Sequence, residues 1–367
     1  MSVQVSYTKQ IAISLLFLFV VVVVIEGVAR IIEYNYTNHC NIIGNPVFAS
    51  AGPKIQRQLC DDYNNLVHEE KVIRQIKPNQ HLNTININSL GFRGADFTKE
   101  KPENTFRIIM VGGSTTFGMG ATSDDTTIPA YLQKKFNDLN LDKKIQVINA
   151  GIIAQQSNAE VYDIKNRLIN FSPDLIIVYD GYNDSFYVGA DEISVSKSVS
   201  NNTSNSSIKD FIKQNLSFYR TPFVIYQLSW DRFQASTLTS NVIEKNTQAW
   251  NNRWKSLCEF GKNNRFDTIV TIQPILGTGH RTLFPTEESI AKDFKQVKTM
   301  EIEADLARSL SNLDPSCAKT ADLRNVFDNT TVPIFYSGAH ITDYGNEIVA
   351  QKLFQISLPI VLEKIKN

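Results

Sequence analysis

Four short apolar runs rich in β-branched residues, separated by helix-length stretches, restrict the fold of this chain more than any other feature. They read FRIIMV (106–111), IQVINA (145–150), DLIIVYD (174–180) and DTIVTIQ (267–273). A run of that kind suits a strand buried on both faces. Helical stretches lie between and after them, at about 127–138, 158–168, 247–262, 287–310 and 343–364. Strand, helix, strand at this cadence builds right-handed βαβ units, so the expected fold class is a three-layer α/β/α sandwich around a parallel sheet. Ligands of such sheets bind beyond the carboxyl ends of the strands, and chemistry is to be sought in the residues that follow each strand.

A second apolar feature lies outside that cadence. Residues 11–25 read IAISLLFLFVVVVVI, and the apolar character resumes after Glu26 as far as Ile32. That approaches the roughly 20 residues a bilayer-spanning helix needs. A cleavable signal peptide has a shorter apolar core ending at small residues. Gly27-Val28-Ala29 runs into Arg30 without an A-x-A-like site, which favours an uncleaved anchor. Unbroken valines with no polar face argue against a buried core helix. Lys9 precedes the span while Glu26, Arg30 and Glu33 follow it, so the positive-inside bias favours a short cytoplasmic tail and an exported body. The expected organisation is a tail at 1–10, an anchor at 11–32, a juxtamembrane and lead-in region at 33–97, polar and irregular, and a domain at 98–367.

Composition narrows the partners. Lys plus Arg and Asp plus Glu are both 37, so the chain has no global basic field to hold nucleic acid. Cys40, Cys60, Cys258 and Cys317 lack C-x-x-C spacing, which disfavours a zinc cluster. Outside the cell they could pair by proximity as Cys40 with Cys60 and Cys258 with Cys317; four buried thiols are the alternative. N-x-S/T triplets begin at Asn35, Asn183, Asn201, Asn202, Asn205, Asn215 and Asn329, but such triplets arise by chance in Asn-rich sequence. Residues 188–245 break the strand and helix cadence. The Ser/Asn-rich string SVSKSVSNNTSNSSIKD is followed by Phe218, Tyr219, Phe223, Tyr226, Trp230 and Phe233. They form either an insertion capping the strand ends or an aromatic helix packed on the core.

Candidate chemistry sits at the strand ends. The first strand runs into VGGSTTFG (111–118), where Gly112 and Gly113 allow a sharp turn that exposes Ser114 at a strand-to-helix junction. This has the logic of a nucleophile elbow without the G-x-S-x-G string. Neither a G-K-[ST] phosphate loop nor a dinucleotide G-x-G-x-x-G fits. The second strand ends in NAG and the third in DGYND, which offer the Gly151 N–H and the Asn183 amide. With the Ser114 N–H they would make three donors for an oxyanion in acyl transfer. Of five histidines, His39, His68 and His81 precede the α/β region. His340, in AHITDYGNEIVAQKL, is the favoured base over His280 in the loop GTGHRT.

GGST at 112–115, NAG at 149–151, GYND at 181–184 and AHITDYGNEIVA at 339–350 resemble, in order, the four blocks of SGNH (GDSL-like) hydrolases. NSLGFRG at 88–94 also resembles a segment of exported members. The resemblance implies a flavodoxin-like sandwich and ester hydrolysis or acyl transfer, with neither metal nor organic cofactor. It places Ser114, Gly151, Asn183 and His340 in the naming positions and implies an ester substrate, and an anchored, exported position suits acylated surface glycans or lipids. The family's acid three residues before the histidine is missing, because Ser337 stands there. Three readings follow: Ser337 or a backbone carbonyl orients His340, or Asp328 or Asp343 substitutes, or turnover is weak or lost and the chain is a binding protein.

Overall fold

Each of the four apolar runs forms a strand, and a fifth strand joins them. The computed structural model describes residues 6–37, 40–188 and 238–366. Strands β1 (His68–Glu70) with β2 (Arg74–Ile76), and β3 (Gln80–His81) with β4 (Asn86–Ile87), make two small antiparallel pairs. Strands β5 (Thr105–Gly112), β6 (Lys144–Asn149), β7 (Leu175–Asp180), β8 (Asp267–Ile272) and β9 (Lys319–Asp322) form a parallel sheet in the order β6-β5-β7-β8-β9. That is the flavodoxin-like order, 2-1-3-4-5 counted from β5. The register pairs Met110 with Asn149, Gly112 with Tyr179 and Asp180 with Ile272, so successive strands end on one edge.

The described helices are α1 (Tyr7–Thr37), α2 (Gly52–Asn65), α3 (Ser114–Phe117), α4 (Ile128–Asn137), α5 (Ser157–Asn166), α6 (Tyr182–Phe186), α7 (Ser240–Asn263), α8 (Pro285–Ala291), α9 (Phe294–Ser309) and α10 (Asp343–Lys366). Side chains alternate across the pleat. Ile109 and Val111 of β5, with Ile176 and Val178 of β7, pack against Ile164 of α5, Trp250 and Trp254 of α7 and Leu306 of α9. Ile108, Met110, Leu175 and Ile177 face Leu132 and Phe136 of α4 and Val349 and Leu353 of α10. Both faces are covered, which gives the three layers that uniformly apolar strands require.

Three details differ from the sequence reading. Strand β9 was not expected, because KTAD lies at the sheet's edge and is half-exposed. The stretch 287–310 is two helices, since Asp293 caps the second by accepting from Lys295 N and Gln296 N. Residues 41–97 are not an irregular connector. Ile85, Ile87 and Phe92 are buried, and the Arg93 guanidinium donates to the Phe117 and Gly118 carbonyls and pairs with Asp124. The aromatic segment and the triplets at Asn201, Asn202, Asn205 and Asn215 lie outside the described residues. Asn183 is buried, so its triplet offers no surface site, whereas Asn329 is exposed.

Helix α1 belongs to a separate unit and is considered by itself. Its residues Tyr7–Ile31 are long and apolar enough to cross a membrane, and no residue of their most apolar 18-residue window is buried.

None of the four cysteines is free. Cys258 on α7 is bonded to Cys317, closing 59 residues with the Cα atoms 4.9 Å apart. In the chain-entropy account a loop of that length stabilises by about 4 kcal/mol. Replacing both cysteines by alanine is therefore expected to lower the unfolding free energy by about that amount, read as a lower urea midpoint with a slope that rises as the unlinked denatured chain expands. A loss below about 1 kcal/mol would show that the bridge constrains little that the core does not already fix.

Candidate active site

Close backbone approach explains the glycines before Ser114. A side chain on Gly112 would overlap the Tyr179 carbonyl and the Thr116 hydroxyl, and one on Gly113 would overlap the Asn183 amide nitrogen. Two bare positions therefore let the end of β7 and the start of α6 come up against the end of β5. Ser114 opens α3, so its own N–H has no acceptor within that helix. Its side chain is buried, and its Oγ lies 2.8 Å from His340 Nε2 across 226 residues of sequence.

The Asn183 amide is held in place by a 2.6 Å bond from Nδ2 to the Gln155 carbonyl. Gln155 follows Ala154, which sits at φ +61°, a left-handed conformation unusual for a residue with a side chain. Gly151 is placed differently from the sequence expectation. Its N–H donates to Asn149 Oδ1 at 3.1 Å and is not free to receive an oxyanion. The glycine is needed for another reason, because a side chain there would overlap the backbone of Thr116 and Phe117.

His340 sits on a hairpin spanning 334–342. Tyr336 N donates to the His340 carbonyl and Thr342 N to the Ile334 carbonyl, each at 3.1 Å. The base of the hairpin is tied by Glu287, whose Oε1 accepts from Ile334 N and Phe335 N at 3.1 and 3.0 Å. Glu287 is fully buried, and Arg281 neutralises it through two bonds of 2.6 and 2.9 Å. At the tip, the Gly338 carbonyl accepts from Leu276 N at 2.8 Å and from Gln296 Nε2 at 3.1 Å. The Tyr336 ring stacks on the imidazole with centroids 5.6 Å apart. Nothing in the sequence pattern announces Glu287 or Gln296, since both lie on helices far from the motif.

Of the three side chains considered for orienting the imidazole, Ser337 alone touches it, with Oγ 2.7 Å from Nδ1. Asp328 is engaged elsewhere, by the His280 N–H at 2.7 Å and His280 Nδ1 at 2.9 Å. Asp343 accepts from the Thr122 N–H at 2.9 Å and from the Thr122 hydroxyl. His280 itself is exposed and bonded to Asp328. With no carboxylate among its side-chain hydrogen-bond partners, His340 responds to burial, which lowers its pKa from 6.5 to about 4. Among the described residues no group of three or more His, Cys, Asp or Glu side chains is arranged to hold a metal ion.

Acidic residues underlie the Asn183 helix. Asp180 ends β7 and accepts from Trp250 Nε1 at 2.9 Å. Asp184 accepts from Ser157 N at 2.9 Å, from the Ser157 hydroxyl, and from Arg253 at 3.1 Å. Glu160 is buried beside them with neither carboxyl oxygen hydrogen-bonded. Burial, then the Asp184 charge, pushes the Asp180 pKa from 3.8 to about 8.

No family model and no curated protein matches the chain. Similar solved structures include a G-D-S-L family protein from Desulfitobacterium hafniense, at 12% identity and TM-score 0.40, covering 68% of this chain and 98% of that one. An acetylxylan esterase from Geobacillus stearothermophilus matches at 12% and 0.40, covering 68% and 93%. An α/β hydrolase enzyme from a Lake Arreo metagenome matches at 11% and 0.42, covering 68% and 94%. The likeness is distant.

The Asp180 shift carries a stability prediction. A carboxyl whose folded pKa is raised costs nothing below its unfolded pKa and destabilises progressively as pH climbs towards the folded one. Asp180→Asn keeps an acceptor for Trp250 and cannot ionise. Its stability relative to the parent chain is expected to rise between about pH 4 and pH 8 and to level off above. Urea midpoints measured across that range test this, and a difference independent of pH would contradict it.

Proposed function

We propose that this chain is a membrane-anchored serine ester hydrolase of the SGNH type, with Ser114 as nucleophile and His340 as general base. The observation that carries the reading is the 2.8 Å approach of the Ser114 hydroxyl to His340 Nε2 at the carboxyl edge of the sheet. A hydroxyl is a poor nucleophile until a neighbouring base takes its proton, and imidazole is suited to that task when neutral.

In this reading Ser114 Oγ attacks the ester carbonyl carbon as its proton passes to Nε2. The tetrahedral oxyanion faces the Ser114 N–H and the second N–H of the Asn183 amide, whose first is fixed on Gln155. Donors held in place before charge develops stabilise it without reorganisation. His340 then protonates the departing alcohol, leaving the acyl group on Ser114. Water, deprotonated by His340, releases the acid. If an alcohol takes the place of water, the same steps transfer the acyl group to a sugar. Helix α1, as a single-pass anchor with the domain outside the cytoplasm, suits O-acyl groups on surface glycans or lipids. Ser337 motivates the alternative of a binding protein without turnover, because a carboxylate at that place contributes up to about 10⁴ in rate elsewhere.

Two measurements test the proposal. A fluorophosphonate probe is expected to label Ser114 in the folded chain, and Ser114→Ala to abolish labelling and lower aryl-ester turnover by about 10³-fold or more. Folded protein that stays unlabelled, while a known serine hydrolase reacts, would remove the nucleophile. The base must be neutral to act, so kcat/KM should be retained as pH falls below 6.5 and be halved at about pH 4. An acid limb near 6.5 would mean that burial does not govern the imidazole.

A further inference from the structure

We infer that Ser337 holds the resting imidazole of His340 in the tautomer that cannot accept the Ser114 proton, so that the pair idles until one hydroxyl turns. The inference rests on the reading of Ser114 and His340 as nucleophile and base.

The argument is a count of protons and lone pairs. The Ser337 hydroxyl has one hydrogen and two acceptor sites. Three nitrogens surround its Oγ: His340 Nδ1 at 2.7 Å, the His340 backbone N–H at 3.1 Å and the Ala339 backbone N–H at 3.4 Å. The two backbone groups can only donate. If Nδ1 also donated, three donors would compete for two lone pairs, and the hydroxyl hydrogen would be left without an acceptor among the described residues. If the hydroxyl instead donates to Nδ1, every group at Ser337 is satisfied, and the hydrogen displaced from its acceptor is that of Ser114, which turns away from Nε2. A neutral imidazole that accepts at Nδ1 carries its hydrogen on Nε2. That hydrogen then points at Ser114 Oγ, where a base needs a lone pair.

The surrounding clamp keeps the backbone donors in place. Leu276 N and Gln296 Nε2 both hold the Gly338 carbonyl, and Gln296 Oε1 lies where a Gly338 side chain would be. The Gly338–Ala339 peptide is therefore held with its N–H towards Ser337. A carboxylate at position 337 would only accept, leaving Nδ1 as donor and Nε2 free. Reaching that productive state in this chain moves one proton from Nε2 to Nδ1 and rotates the Ser337 hydroxyl outward, with no net gain or loss of protons. Ser337 is thus a positioning residue that acts through His340, and its effect opposes turnover.

The test uses the full chain in detergent micelles with ¹⁵N-labelled histidine, the His340 signals being assigned by their loss in His340→Gln. At neutral pH the expected pattern is a protonated Nε2 and a bare Nδ1, reversed in Ser337→Asp. A protonated Nδ1 in the unaltered chain overturns the inference. Kinetics supply a second readout. Ser337→Ala removes the opposing donor and is expected to raise kcat/KM by up to about fivefold, the worth of one neutral hydrogen bond, and an unchanged value would count against the inference. Ser337→Asp is expected to raise kcat/KM by about tenfold or more and to move the acid limb upward, since a neighbouring carboxylate favours imidazolium. A tenfold fall in Ser337→Ala with its circular dichroism intact would overturn the inference by making the hydroxyl a helper. If Ser337→Asp does not fold, the spectrum of the unaltered chain and the Ser337→Ala kinetics still decide. If no variant turns over any ester while the tautomer pattern is as expected, the hydrolase reading falls and the idling role with it, while the tautomer assignment of His340 stands.

Discussion

The site depends on one buried ion pair that lies outside it. Glu287 is fully buried, and a charge in that position is costly unless it is matched and its oxygens are bonded. Arg281 supplies the match, and Phe284 N, Ile334 N and Phe335 N fill the remaining acceptor sites. These bonds hold the base of the His340 hairpin to α8, while Gln296 holds its tip to α9. The hairpin reaches Ser114 because both ends are tied to helices packed on the sheet. Removing one partner of such a pair costs about 3–5 kcal/mol, a large share of a domain's stability. The fold and the placing of His340 beside Ser114 are thereby linked through Glu287 and Gln296, which touch neither residue's side chain.

The sheet and its covering helices were legible because β-branched apolar runs leave little choice once helices separate them. Strand β9 was not, since a half-exposed edge strand such as KTAD carries no apolar signature. The segment 41–97 reads as polar, yet it is held by the Arg93 guanidinium and by sparse apolar residues such as Ile85 and Phe92 that have no helical or strand period. Ser114 and Asn183 were legible as candidates because each follows a strand that ends at the same edge, and His340 because of the motif it opens ahead of the last helix. Gly151 shows the limit of that reasoning. Its place after a strand suggests a free N–H, but which acceptor takes an N–H is a matter of side-chain geometry, and Asn149 takes this one. Asp328 and Asp343 fail for a similar reason, because proximity in sequence to His340 does not reveal that His280 and Thr122 already occupy them.

A cost is also visible beneath Asn183. Asp180, Asp184 and Glu160 are buried together with one arginine, Arg253, bonded to Asp184. Burial raises the pKa of each of these carboxyls, and at Asp180 the Asp184 charge adds to the rise. Asp184 is the exception in its bonding, with the Ser157 N–H, the Ser157 hydroxyl and Arg253 all directed at it, and its backbone carbonyl is held by Asn246. These contacts fix α6 from below, while the Gln155 carbonyl fixes the Asn183 amide from the side. An oxyanion donor that cannot reorient is the more effective one, and local destabilisation of this kind is common where a polar site is preorganised.

A single difference, serine in place of an acid at position 337, bears on both the basicity and the tautomer of His340. A carboxylate beside Nδ1 would offset the desolvation of the imidazolium and raise its pKa, and as a pure acceptor it would also demand the Nδ1–H form. Without it, burial alone sets the pKa at about 4, which would make His340 a weak base in the proposed reaction. A weaker base draws less driving force from the serine proton, which slows the first step most. It also makes His340, once protonated, a stronger acid towards the departing alcohol. Within the acylation half of the proposed reaction, the balance would therefore shift from attack towards alcohol release, which suits a substrate with a reactive carbonyl and a poor alcohol leaving group.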